Sequence, residues 1–157
     1  MGARINNAPV YVVNDLSYKQ TIILTHKSDA STYTQTGTEN YIIDKNLTTY
    51  LQYQGVGGYA LSPEIWVTID YGKIYWNCHL FVAYKMYAYI SNINRLEYST
   101  DNITWTTLEN PANNTYTEFN TQVMKLRYIR FHSKSTTSSG ATLIARATIY
   151  QCRIMGS

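Results

Sequence analysis

Hydrophobic and polar positions alternate in short runs along this chain, and no run keeps a helical period. The clearest run is 65–71, where Ile65, Val67 and Ile69 interleave with Trp66, Thr68 and Asp70. A period of two predicts a half-buried strand, and Gly72-Lys73 breaks it. Cys78–Tyr84 predicts another strand, with Leu80 and Val82 on one face. Arg95–Ser99 and Thr104–Leu108 flank Asp101-Asn102 and read as a hairpin. Lys125–Phe131 places Ile129 and Phe131 on one side, and Leu143–Ile154 closes the chain with one or two strands. Gln20–Thr25 is a further β-rich run, and Val10–Val13 a short one. The stretches His26–Asn40, 54–63, 85–93, 110–118 and Ser133–Gly140 read as loops. Tyr41–Asp44 is a short apolar piece before the turn Asp44-Lys45-Asn46. Strands at short intervals with polar turns predict an all-β antiparallel sandwich or barrel.

Composition sharpens this picture. A length of 157 residues suits one domain; residues 1–18 read as a lead-in and 19–157 as the β-sandwich domain. Polarity comes from Thr, Asn, Ser and Tyr rather than from charge, and the 16 tyrosines favour strands. The net charge of +3 pulls weakly on acidic partners. Lys125, Arg127, Arg130 and Lys134 lie on or just after one strand and read as a solvated edge, so nucleic acid is not an expected partner. No run approaches the ~18 apolar residues of a membrane-spanning helix. The opening residues show no apolar signal core, and Asn6 breaks the myristoylation pattern after Gly2. Cys78 and Cys152 form no CxxC pair; they read as two free, mostly buried thiols, with a cross-strand disulfide as the alternative. His26, His79 and His132 are scattered. No nucleophile elbow, Walker loop, HExxH or Rossmann glycine pattern occurs, so the chain reads as a non-enzyme.

Five ordered segments carry a resemblance. They are Ile42-Ile43-Asp44-Lys45-Asn46-Leu47-Thr48-Thr49-Tyr50, Trp66-Val67-Thr68-Ile69-Asp70-Tyr71-Gly72-Lys73, Leu96 to Trp105, Arg127-Tyr128-Ile129-Arg130-Phe131, and Ala147 to Ile154. Together they resemble the discoidin domain, or coagulation factor 5/8 type C domain, over about residues 19–156. That resemblance implies a jelly-roll β-sandwich of the galactose-binding-like fold, with Trp66 and Ile69 in the core and Trp105 packed rather than facing a ligand. Three departures stand out: Lys45 replaces the family's glycine, Tyr50 or Leu51 its tryptophan, and Gln151 its C-terminal acidic residue.

The resemblance also implies sites. A structural calcium would fall to Asp44, Asn46, Thr49 and Gln151, although Gln151 supplies a neutral oxygen where calcium favours carboxylates. Ligands would sit on the loops 52–62, 84–94 and 132–142 at one end of the sandwich. Those loops offer Tyr53, Tyr59, Lys85, Tyr87, Tyr89, Asn92, Asn94 and His132. Aromatic faces pack on the C–H face of a sugar ring, while Asn, Lys and His bond its hydroxyls. Lys85 stands where the family's arginine is expected, and lacks its planar fork. The family's sugar-contacting histidine in the first loop has no counterpart. The expected partner is a glycan or glycoprotein surface, and the expected location is extracellular or on a virion surface. The alternative is a virion, decoration or adhesin role, with contacts to other subunits of a particle or to copies of itself. A phospholipid surface would have only Met86, Ile90 and Lys85 to work with, so membrane contact is not expected.

Overall fold

The computed structural model describes residues 14–16, 23–28, 32–57, 62–89, 93–122, 124–136 and 142–156. The strands are β1 (Asn14–Asp15), β2 (Ile23–Ser28), β3 (Thr32–Thr36), β4 (Leu51–Gly57), β5 (Glu64–Ala88), β6 (Ile93–Ser99), β7 (Thr106–Glu109), β8 (Thr117–Asn120), β9 (Met124–Lys134) and β10 (Leu143–Gly156). One 3-10 turn, Glu39–Ile43, precedes β4. Every pairing among the described residues is antiparallel.

Two layers result. One runs β3-β4-β10-β5-β8, and β1 extends it beside the end of β10. The other runs β2-β5-β9-β6-β7. β5 belongs to both: residues 65–70 lie between β2 and β9, and residues 81–84 between β10 and β8. The Gly72-Lys73 break is therefore a corner inside one strand. Gly72 takes φ +82, and the register with β9 slips between Asp70 and Tyr75 and again before Cys78. A left-handed backbone at this point suits glycine.

Alternation explains what each layer buries. Ile65, Val67 and Ile69 point into the core with Leu80, Val82, Tyr84 and Met86 of the same strand. Ile129 and Phe131 of β9, and Ala145, Ala147 and Ile149 of β10, meet them. Trp66 does not join this core. It sits one position out of phase, half-buried on the outer face, and stacks on His132 with ring centroids 5.2 Å apart. Trp105 is packed but also outside the core: the Arg130 guanidinium lies 4.0 Å from its ring centroid.

Several loop assignments give way to strand. β3 occupies part of 26–40, β4 runs through Gly57, β5 continues through Ala88, and β8 lies at the end of 110–118. β9 carries on to Lys134 and β10 is a single strand to Gly156. A bulge at Tyr150 shifts β10's pairing with β5 between Ile149 and Gln151. It reverses the inward phase, so that Cys152 and Ile154 face the core after it. The run Val10–Val13 lies outside the described residues. Both cysteines are free and buried. The hydroxyl of buried Tyr71 donates to the carbonyl of Cys152 at 2.8 Å.

Candidate functional site

One pole of the sandwich collects the three loops. Gly57 pairs with Leu143, and the Tyr89 N–H donates to the Ile144 carbonyl at 3.0 Å. The Ser135 N–H donates to the Pro63 carbonyl at 3.0 Å, and its hydroxyl to the Tyr89 carbonyl at 2.6 Å. The described residues on either side of 58–61, 90–92 and 137–141 thus hydrogen-bond one another at one end of the sandwich.

A fourth segment, 110–115, is tied in by one side chain. The Asn113 carboxamide accepts from the Ala88 N–H at 2.8 Å and donates back to its carbonyl at 3.0 Å. It imitates a strand partner where β5 runs out of neighbours. Asn94 donates to the same Asn113 oxygen at 3.2 Å, and its own oxygen accepts from Ser133 at 2.9 Å. Beside this network is a polar cleft of about 280 Å³ lined by Ile93, Asn94, Arg95, Asn110 and Pro111. Arg95 and Asn110 are exposed there. Arg127, Arg130 and Arg153 each pair with a carboxylate, and Arg146 lies over Tyr87. Arg95 has no such partner among the described residues.

The nominated ligand residues divide sharply. Tyr53 is 1 % exposed and faces the core, stacked on Tyr33 at 5.7 Å. Burial first, then the charge of Glu39, pushes its hydroxyl up to about 12. It is a core residue because β4 continues through a glycine-bearing stretch, with Gly55 and Gly57 also buried. Lys85 and Tyr87 are strand residues on the outer face of β5, opposite Thr148 and Arg146, rather than loop residues. Tyr89 is half-buried at the bend where β5 ends. Asn94 is buried and serves as a strut. His132 is a strand residue of β9: it stacks on Trp66, and its Nε2 lies 2.5 Å from Glu64 Oε1. Met86 is fully buried in the core, which removes it from any membrane-facing role. Tyr59 and Asn92 lie outside the described residues, as does Ile90.

The basic positions of β9 are largely compensated. Arg127 holds Asp70 through two nitrogens at 2.8 and 3.0 Å, and Arg130 pairs with Glu97 at 2.7 Å. Lys134 pairs with Glu64 at 3.1 Å, and Lys125 lies 3.7 Å from the Trp76 ring centroid.

The structure brings together all four residues that the resemblance nominates for calcium. Asp44 Oδ2 accepts from the Thr49 hydroxyl at 2.7 Å, and Asp44 Oδ1 from the Asn46 N–H at 2.7 Å. Gln151, fully buried, points its carboxamide nitrogen at Asp44 Oδ1 (2.8 Å), the Tyr41 carbonyl (3.0 Å) and the Asn46 carbonyl (3.1 Å). Calcium takes six to eight oxygens, but here a hydrogen-bond donor stands among the oxygens. The donor set as it stands does not fit the ion.

A two-layer antiparallel jelly roll defines a class of fold, the β-sandwich domains. Residues 26–147 match the model of the F5/8 type C domain, and the chain belongs to that family. Solved structures share the fold at low identity. CBM32-3 from a family 31 glycoside hydrolase of Clostridium perfringens is 15 % identical, with a TM-score of 0.53 over 92 % of this chain and 95 % of that one. CpGH89CBM32-4 of Clostridium perfringens, in complex with GlcNAc-α-1,4-galactose, is 13 % identical, with a TM-score of 0.51 over 99 % and 100 % of the two chains. Chitosan-binding module 1 from a chitosanase/glucanase of Paenibacillus sp. IK-5 is 16 % identical, with a TM-score of 0.50 over 91 % and 99 %. These neighbours are binding modules, two of them drawn from enzymes. Comparison with curated proteins finds no match.

Proposed function

We propose that this domain is a non-catalytic carbohydrate-binding module that takes a glycan at the loop pole. The observation that carries the reading is Arg95, exposed in a polar cleft with Asn94 and Asn110. A guanidinium offers five donors in a rigid fork, and an exposed carboxamide offers both a donor and an acceptor. Vicinal sugar hydroxyls suit that pair. Tyr89 supplies an aromatic face at the same pole, where a pyranose C–H face packs. That a module of the same fold was solved with a disaccharide supports the ligand class.

A glycan array followed by calorimetry on the best hit tests this. Arg95→Ala and Asn110→Ala should each weaken binding at least tenfold while leaving the melting temperature unchanged, since both side chains are exposed. Tyr89→Ala should weaken it as well. No glycan bound, or one bound with undiminished affinity by Arg95→Ala, would refute the placement.

A second reading has its own support. Tyr50 and Tyr116 are exposed and pack edge-on against Tyr150, with centroids 5.9 and 5.2 Å away. An exposed tyrosine cluster suits contact with another subunit of a particle or another copy of the chain. Concentration-dependent sedimentation that Tyr116→Ser abolishes would favour it.

A further inference from the structure

We propose that the Gln151 carboxamide is a built-in replacement for a cation, so that the 44–49 turn folds without divalent metal and one atom decides whether the site takes calcium. The geometry fixes which end of the amide faces the turn. Gln151 Oε1 accepts from the Lys45 N–H at 3.2 Å, and Nε2 faces three acceptors at 2.8 to 3.1 Å. Without a cation, flipping the amide would set oxygen against three oxygens and N–H against N–H, so the metal-free network admits one orientation. Lys45, with φ +63, presents its N–H to the Gln151 oxygen.

The amide nitrogen carries two protons, and three oxygens from three residues surround it. The contacts have hydrogen-bond length, whereas calcium would need oxygens at about 2.3–2.6 Å. The Thr49 hydroxyl ties down the second Asp44 oxygen at 2.7 Å and also lies 3.0 Å from the Asn46 carbonyl. Both Asp44 oxygens and the Tyr41 and Asn46 carbonyls are therefore each supplied with a proton. Asp44 is the single carboxylate among these residues, which further weakens the attraction for a divalent ion. Gln151 is fully buried between β10 and this turn, so water does not compete for the bonds.

Gln151→Glu is nearly isosteric. It retains the acceptor for Lys45 but sets a second carboxylate oxygen against Asp44 and two carbonyls. That arrangement lacks only a cation. Melting curves in EGTA and in millimolar CaCl2, with calcium calorimetry on the same samples, test the proposal. The native protein should melt at one temperature in both buffers and give no calcium heat. Gln151→Glu should melt lower than the native protein in EGTA, gain roughly 5 °C or more in calcium, and bind one ion. A calcium-dependent rise in the native protein's melting temperature would overturn the proposal. So would a folded Gln151→Glu variant that calcium leaves unchanged. Should that variant fail to fold in EGTA, refolding in calcium replaces the melt: recovery in calcium alone supports the proposal and failure in both overturns it. Gln151→Met removes the donors without adding charge, and should lower the melting temperature equally in both buffers.

Discussion

Two glycines with nearly equal backbone angles separate conformational cost from steric cost. Gly37 has φ +86 and Gly72 has φ +82. A β-carbon added at Gly72 meets nothing within 4 Å, whereas one at Gly37 would lie 2.2 Å from the Tyr50 carbonyl oxygen and 3.2 Å from the Tyr41 ring. Alanine in the left-handed region costs about 1–2 kcal/mol. Loss of unfolded-state freedom offsets about 0.4–1 kcal/mol of that. Gly72→Ala should therefore destabilise by about 1 kcal/mol. Gly37→Ala carries the same net cost and must also push a main-chain carbonyl aside, which adds about 1–3 kcal/mol, for roughly 2–4 kcal/mol in all. Urea unfolding followed by tryptophan fluorescence reads the difference. With slopes of about 1–3 kcal/mol per molar, the two midpoints should differ by about 1 M, with Gly37→Ala lower and the slopes unchanged. Equal midpoints, or a lower midpoint for Gly72→Ala, would refute the reasoning. The contact matters because Gly37 holds the segment before the Glu39–Ile43 turn against Tyr50, which brackets the Asp44 cage from both sides.

Three further outcomes follow from the same structure. Arg130→Ala strands the side chain of Glu97, which is 7 % exposed; the loss should be roughly 2–4 kcal/mol in urea unfolding, and replacing both partners with Met and Leu should recover most of it. The carboxyl of Asp101 is held down at about 2, chiefly by the N–H groups of Ile103 and Thr104. Its folded value lies below its unfolded one, so its contribution is present above about pH 4 and disappears as the pH falls toward 2; melting against pH should show this, and Asp101→Ala should flatten the profile over that window. Burial pushes the Cys152 thiol up to about 12 and raises Cys78 as well. A thiol reagent at neutral pH should therefore find no reactive cysteine in the native protein and two after denaturation, and a disulfide would show as none in either state.

What the sequence made legible follows its hydrophobic alternation. Ile65 to Ile69 and the Asp101-Asn102 hairpin stand out because apolar residues mark one face or a turn residue marks the bend. β3 did not, because Thr32–Thr36 is exposed at four of its five positions and presents no apolar rhythm. The end of β5 was hidden for another reason. Tyr84 is buried there with Met86 and Ala88, while Tyr87 lies outside with Lys85, so tyrosine gives no sign of facing. Tyrosine itself was ambiguous: Tyr53 fills the core, Tyr89 marks a bend, and Tyr116 is exposed. The turn residues Asp44, Asn46, Thr49 and Gln151 were legible as a group, since their order survives from the family pattern. The direction of the Gln151 amide was not, because only the neighbouring carbonyls and the Lys45 N–H determine it. Arg95 escaped notice because nothing in its own segment reveals that the other described arginines find partners elsewhere.

The pairing of Asn14 with Gly156 sets these two residues, distant in sequence, side by side. β10 begins at the loop pole with Leu143 and runs the full height of the sandwich to Gly156. Asn14 and Gly156 therefore lie at the pole opposite Leu143 and Gly57. A bulky group attached beside either residue would therefore stand clear of Leu143 and Gly57.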